Sequence, residues 1–412
     1  MSSPSSPWLN RTVVGAGLTS FLADVGYELA TALLPSFLLA LGLPFGAAAQ
    51  VMGAIEAAAE FLSNAAKLLV GWWSDRIGRR KALVVFGYAL TGSAFTLCAA
   101  AASWPPVLAA KCLAWLGKGI RGPLRNAIIT DAVDPAHRGK AFGFHRAGDT
   151  FGAVLGPAIA AAVLYGLPAA GGEPARGYRL AFLFTLVPGL GAAAAFALLV
   201  RERRFTPKPG LRLQASVAAL PRGYARFLVG IGLFGLGDFA HTVLILAATH
   251  ALPAAVPADT AAAAGVLLYA WRNLVQALAA YPAGWLGDRI GRRRTLAIGY
   301  VTGAVAMAGF GLLAGFAPGS FAGWVALFAL AGAYTAVQES LEPAIMPDLV
   351  PGKEMHGTAY GVLAVVNGLG DVGASLAVGF LFMTLGPAVG LGYAAALMTA
   401  GAAWMAVAVR DG

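Results

Sequence analysis

Long apolar stretches separated by short polar loops run from one end of this chain to the other. A helix needs ~20 apolar residues to cross the hydrocarbon of a bilayer, and about twelve stretches meet that length. They fall at 13–41, 46–73, 82–103, 107–133, 140–166 and 179–200, then at 223–250, 260–286, 295–316, 320–347, 356–384 and 387–408. The first has no cleavage site of small residues and is followed by many more, so it reads as a first span and not a signal peptide. The pattern predicts an all-α polytopic membrane protein.

Basic residues fix the orientation. Arg76, Arg79, Arg80 and Lys81 lie between spans 2 and 3, Arg138 and Lys140 between 4 and 5, and Arg289, Arg292, Arg293 and Arg294 between 8 and 9. The stretch 201–226 holds a further cluster, including Arg201, Arg203, Arg204 and Lys208. The alternate loops are nearly free of Lys and Arg, with Arg176 and Arg179 the exceptions. Loops rich in Lys and Arg stay in the cytoplasm, which puts both termini and the 201–222 linker there.

Composition agrees. Of 412 residues, 58% are hydrophobic and 12% charged, about half the charge of an ordinary soluble domain. The mean hydropathy is +0.72. The net charge of +10 belongs to the loops, so topology explains it without nucleic acid. Glycine, at 54 residues, suits closely packed membrane helices. The two cysteines, Cys98 and Cys112, sit in apolar segments and offer neither a disulfide framework nor a metal site. No Gly-x4-Gly-Lys-Ser/Thr loop is present, which excludes an ATP-driven pump of that type, and no catalytic motif or cofactor site is recognisable.

The chain repeats. Gly71-Trp-Trp-Ser-Asp-Arg-Ile-Gly-Arg-Arg-Lys81 recurs 213 positions later as Gly284-Trp-Leu-Gly-Asp-Arg-Ile-Gly-Arg-Arg-Arg294. Gly139-Lys-Ala-Phe-Gly143 is echoed by Gly357-Thr-Ala-Tyr-Gly361. Two parallel six-span halves, 1–200 and 223–412, joined by the linker 201–222, follow from this. The loop motif resembles the signature of the major facilitator superfamily, Gly-x-x-x-Asp-Arg-x-Gly-Arg-Arg. The resemblance implies twelve transmembrane helices in two pseudo-symmetric bundles. It also implies a gating latch built from Asp75, Arg76, Arg79 and Arg80 and, by repeat, Asp288, Arg289, Arg292 and Arg293. Gly143, Gly152, Gly156 and Pro157 on span 5 resemble the antiporter motif of exporters in that superfamily, although Ala160 and Ala161 stand where the pattern has Gly-Gly. Generic close packing explains the same stripe. On span 4, Lys111 stands where the family has an Arg.

Ionisable groups inside spans are costly, so their positions mark pairing or function. Asp24 and Glu28 share a face of span 1, Arg121 and Arg125 a face of span 4, and Arg146 and Asp149 lie three apart on span 5. In the resembled fold, spans 1, 4, 7 and 10 line a central cavity. These six are therefore the candidates for proton coupling, with Asp24 or Asp149 as the carrier. A carboxylate moved away from Arg into low dielectric takes up a proton. A fixed salt-bridge cluster is the rival reading. The second half is more acidic. Asp238, His241, Arg272, Asn273, Glu339, Glu342 and Asp371 are substrate-binding candidates, with Asp238 and His241 a weak metal pair. At an offset of 217, Arg121 aligns with Gln338 and Arg125 with Glu342. Trp115, Trp271, Phe234 and Tyr334 are possible stacking partners, and Glu56, Glu60 and Lys67 have no assigned face.

The expectation is a monomeric transporter in a cell membrane of the bacterial inner-membrane type, surrounded by lipid, that exports an organic drug or metabolite by proton antiport. The rivals are an exporter of a divalent metal or its complex, and a lipid flippase or transport-inactive sensor.

Overall fold

The computed structural model describes residues 8–166, 176–203, 207, 210, 212–239, 244, 248 and 258–408. Helices dominate. Span 1 is α1 (Arg11–Ala40), span 2 α2 (Phe45–Ile77), span 3 the pair α3 (Lys81–Ala94) and α4 (Thr96–Ala99), span 4 α5 (Trp104–Ala132), and span 5 α6 (Arg138–Gly166). Span 6 is the pair α7 (Arg176–Phe184) and α8 (Leu186–Leu199), followed by the short linker helix α9 (Leu213–Ala218). The second half gives α10 (Arg222–Gly235), α11 (Ala258–Ile290), α12 (Arg292–Phe316), α13 (Phe321–Leu349), α14 (His356–Leu385) and α15 (Pro387–Ala408). Spans 3 and 6 are thus each broken in two, at Phe95 and Thr185, and most of span 7 beyond α10 lies outside the described residues.

Local chemistry sets the ends. Asn10 caps α1, its side chain accepting from the Thr12 and Val13 amides at 2.9 and 3.1 Å. Two prolines in the first turn of α5 occupy positions whose amides need no partner. Between α2 and α3 the chain reverses at Gly78, whose φ of +67° suits glycine, and Gly291 does the same before α12 at +102°. The signature loop therefore needs its glycine for the turn itself.

The chain divides into two compact units. Unit 1 comprises Met1–Asp134, Gly148–Ala218 and Gly352–Val362; unit 2 comprises Pro135–Ala147, Ala219–Pro351 and Leu363–Gly412. In unit 1, α5 packs on α2 and α3, and α8 packs on α1 and α3. In unit 2, α13 packs on α11 and α12, and α15 packs on α10 and α12. The same four pairings recur, so the repeat in sequence is a repeat in packing.

Lipid tails are as apolar as leucine, so close van der Waals contact holds such helices together. Gly92 on α3 and Gly189 on α8 show how. A Cβ at Gly92 would lie 2.6 Å from Gly189 Cα, which lets the two backbones touch. The core of unit 1 gathers Phe37, Phe95, Trp115 and Phe182. Large apolar side chains such as Phe61, Leu198, Phe316 and Leu376 are exposed, as a lipid-facing surface requires. Six described helical segments are long and apolar enough to cross a membrane, α12 to α15 among them. Helices α2 and α5 carry several charges within their length.

Candidate functional site

The signature loop forms a hydrogen-bonded network in each unit, buried in unit 1 and partly open to solvent in unit 2. In unit 1, Asp75 at the end of α2 accepts from the amides of Gly357 and Thr358 at 3.1 and 2.7 Å and from the Thr358 hydroxyl at 2.9 Å. These groups open α14, where free amides and the helix dipole favour an anion. Arg80 donates to Asp75 at 3.0 Å, to Asp131 at 2.9 Å and to the Lys353 carbonyl at 2.7 Å. Asp131 also meets His356 Nδ1 at 3.4 Å. In unit 2, Asp288 accepts from the Gly139 and Lys140 amides, both at 2.9 Å, at the start of α6. Arg292 donates to Asp288 at 2.9 Å, to Asp348 at 2.7 Å and to the Pro135 carbonyl, while Arg138 also reaches Asp348 at 2.7 Å.

The glycine echo now has a physical reason. A Cβ at Gly357 would strike the Gly71 carbonyl and come within 2.7 Å of Asp75 Oδ1; a Cβ at Gly139 would strike the Gly284 carbonyl and come within 2.7 Å of Asp288 Oδ1. Only glycine lets the carboxylate reach the amides. The two loops are not identical, however. Arg80, the second arginine of its pair, grips the acid in unit 1, whereas Arg292, the first of its pair, does so in unit 2. Arg76 and Arg289 instead stack on Trp72 and Trp285, 4.9 and 4.2 Å from the ring centroids. Arg79 borders an open cavity of about 890 Å³ with Lys81, Glu202 and Pro207. The ion pairs of the two loops thus join Asp75 to Arg80 and Asp288 to Arg292.

A second cluster lies deeper in unit 1. Asp24, Arg121 and Asp149 are buried. Asp24 lies within electrostatic reach of Asp149, Arg121, Lys118 and Glu28. The Arg121 guanidinium rests 4.4 Å from the Tyr88 ring centroid, and its Nε and Nη1 have no hydrogen-bond partner. Asp24 Oδ1 is likewise unpartnered. Arg125 donates to Ser20 at 3.1 Å and to Tyr88 at 3.4 Å. Lys118 donates to Tyr27 at 3.2 Å. Lys111 pairs with Glu56 at 2.8 Å and lies 3.6 Å from the Trp115 centroid. Glu60 accepts from Trp115 at 3.0 Å and meets Lys67 at 3.5 Å. Glu56, Glu60 and Lys67, unplaced by the sequence, thus belong to the flank of this cluster.

Arg146 goes elsewhere. It forms an ion pair with Glu339 at 3.0 Å in unit 2, a partner that the sequence reading did not name. There Gln276 donates to Glu339 at 2.5 Å. Arg272 donates to Asn273, Gln276 and Thr335 at 2.8, 3.1 and 2.8 Å. Tyr334 donates to Asp238 at 3.1 Å. Glu342 accepts from Tyr300 and Asn367, both at 2.7 Å. Asp371 is exposed, in contrast to buried Asp238 and Glu342. His241 lies outside the described residues, and among those described no group of three His, Cys, Asp or Glu is placed to hold a metal. Phe234 stacks on Tyr300 with centroids 3.7 Å apart, and Trp271 donates to the Val325 carbonyl at 3.1 Å. The first contact is ring packing and the second a hydrogen bond to backbone.

The glycine stripe of α6 is split between units. A Cβ at Gly148 would lie 2.9 Å from the Gly17 carbonyl, one at Gly152 2.9 Å from Asp24 Cβ, and one at Gly156 2.8 Å from the Leu29 amide, all on α1. Gly143 is set instead against Ala280 of α11. Pro157 lies inside α6.

Several contributors escaped the sequence reading: Tyr27, Tyr88, Lys118, Asp131, Tyr300, Asp348 and His356. The repeat was the signal that could have found most of them. Asp24 and Asp238, Tyr88 and Tyr300, and Asp131 and Asp348 stand 214, 212 and 217 positions apart. In unit 1, Tyr88 meets an arginine; in unit 2, Tyr300 meets a glutamate.

Repeated bundles of apolar helices around buried charge define a multi-pass membrane transporter. The sequence model of the Major Facilitator Superfamily matches residues 16–250 and again 227–411, and the chain belongs to that superfamily. An uncharacterised MFS-type transporter of Methanocaldococcus jannaschii is 31% identical over 381 residues, covering 91% of this chain and 89% of the relative. The human organic anion transporter TETRAN shares the fold with a TM-score of 0.77 at 16% identity, over 97% of this chain and all (100%) of its own. The fucose:proton symporter of E. coli does so with a TM-score of 0.71 at 17% identity, over 96% and 99%.

Proposed function

We propose that the chain is a proton-coupled secondary transporter of a small organic molecule, with Asp24 or Asp149 as the proton carrier and Arg121 as its counter-charge. One observation carries this. Asp24 and Arg121 are both buried, each has polar atoms without a partner, and no ion pair joins them. The Asp75–Arg80–Asp131 network, by contrast, is closely paired. Charges held apart in low dielectric respond strongly to a proton or a ligand, whereas a locked salt bridge does not. That contrast favours a working site over a fixed structural cluster.

The sense of coupling follows the charge of the cargo. A neutral or cationic cargo that displaces the proton from the acids is exchanged for it, giving export by antiport, the reading that the α6 glycines favour. An anionic cargo that binds the guanidinium travels with the proton. Transport in proteoliposomes under an imposed pH gradient, over a panel of solutes, tests the coupling. Asp24→Asn or Asp149→Asn is expected to abolish the gradient's effect while leaving exchange at equal pH. Full gradient-driven transport in both variants would sink the proposal.

A further inference from the structure

Four cations, Lys111, Lys118, Arg121 and Arg125, follow one another along α5. Three of them have named partners: Glu56 for Lys111, Tyr27 for Lys118, and Ser20 with Tyr88 for Arg125. Arg121 is the exception. It is 2% exposed, yet two of its three guanidinium nitrogens donate to nothing among the described residues. The Tyr88 face below it offers attraction to the cation but accepts no in-plane hydrogen bond. A guanidinium is an obligatory donor that cannot shed its charge, so a buried one left without acceptors is poised for an acceptor that arrives from outside.

We propose that Arg121, with Lys118 beside it, holds the carboxylate of an organic anion, and that this is the chemical class of the cargo. The inference rests on the network being the transport site, and it selects the anionic branch of the coupling. Carboxylate geometry matches a guanidinium, and the bonds are charge-assisted. Tyr27 on α1 and Trp115 on α5, in edge contact at 5.7 Å, set aromatic faces beside Lys118 that suit the carbon skeleton of such an anion. The groups around Asp24 are Glu28 and Tyr27 on its own helix, Lys118 and Arg121 on α5, and Asp149 on α6; Tyr88 on α3 lies under Arg121. A proton on Asp24 removes one negative charge from the surroundings of Arg121, and a bound carboxylate restores it. Each therefore favours the other, and cargo and proton move together. Gly148, Gly152 and Gly156 of α6 remain explained by their contact with α1, and Gly143 by its contact with α11.

Binding is tested on the purified full chain in detergent by thermal unfolding, with hexanoate, benzoate and phenylacetate as probes, each against its amide and its amine. The acids are expected to raise the unfolding temperature, more so in mildly acidic than in mildly alkaline buffer, while amides and amines leave it unchanged. Arg121→Gln is expected to weaken the response about 10- to 100-fold, the usual weight of hydrogen bonds to a charged group. Arg121→Lys keeps the charge without the fork and retains part of the response, which separates lost recognition from lost folding. Stabilisation by an amide or amine equal to that by its acid would overturn the inference. An undiminished acid response in folded Arg121→Gln, or no response to any acid, would do the same. Acid-selective stabilisation together with gradient-driven transport that survives Asp24→Asn and Asp149→Asn supports the anion site and refutes the proton-carrier reading, so the two fail separately.

Discussion

Arg80 and Arg79 are adjacent, basic and part of one motif, yet only Arg80 enters the buried network of unit 1, where it spans two carboxylates and a carbonyl. Removing one partner of such a network leaves the others desolvated, at a cost of about 3–5 kcal/mol. Arg80→Ala is therefore expected to lower the unfolding temperature of the purified protein by several degrees, while Arg79→Ala, at an exposed site, shifts it little. Equal effects from the two variants would show that the loop acts only as a cluster of positive charge. In unit 2 Arg292 pairs with Asp288 and Asp348, but Asp348 is exposed and keeps Arg138, so Arg292→Ala is expected to lower the unfolding temperature less than Arg80→Ala.

Helices in lipid gain their contact from backbone proximity, and the glycines mark where that proximity is closest. Gly92 faces Gly189 so tightly that an added methyl group overlaps backbone atoms that cannot swing aside. Overpacking of this kind costs about 1–3 kcal/mol. Gly92→Val is expected to reduce the thermal stability of the protein. Gly232→Ala, where the nearest atom to a new Cβ is the end of Val366 at 3.6 Å, serves as the tolerated comparison. If the two substitutions were equally harmless, the α3–α8 crossing would not have the geometry described here. The loop glycines obey a different rule: Gly357→Ala pushes the chain away from Asp75 itself, so its effect should follow that of losing the carboxylate.

At the scale of the whole chain, the basic loops predict an orientation. A cysteine placed at Gly210, in a chain with Cys98 and Cys112 replaced by alanine, should react with an impermeant maleimide only when the cytoplasmic face is open to the reagent. Labelling from the outside of intact cells would reverse the topology and with it the side on which both signature loops stand. The charge carried by each repeat is the other large-scale feature. The tyrosines at 88 and 300 occupy matching places, but one meets Arg125 and the other Glu342. At this matched position the repeated framework carries a cation in one copy and an anion in the other.

Much of this was legible in the chain itself. Hydrophobic length announced the spans because the hydrocarbon of a bilayer is ~30 Å thick, and six described segments meet that length and apolarity. The repeat in sequence recurs as a repeat in helix pairing; the turns at Gly78 and Gly291, whose φ suits glycine, came from the structure. Partnership was not legible. Arg146 lies three residues from Asp149 yet pairs with Glu339, and Asp75 finds its amides on a helix 282 positions away. Such pairs are made by the packing of helices distant in sequence, and spacing within one helix says nothing about them. The same holds for Arg121: its charge was evident from the sequence, but only the tertiary structure left two of its nitrogens without acceptors.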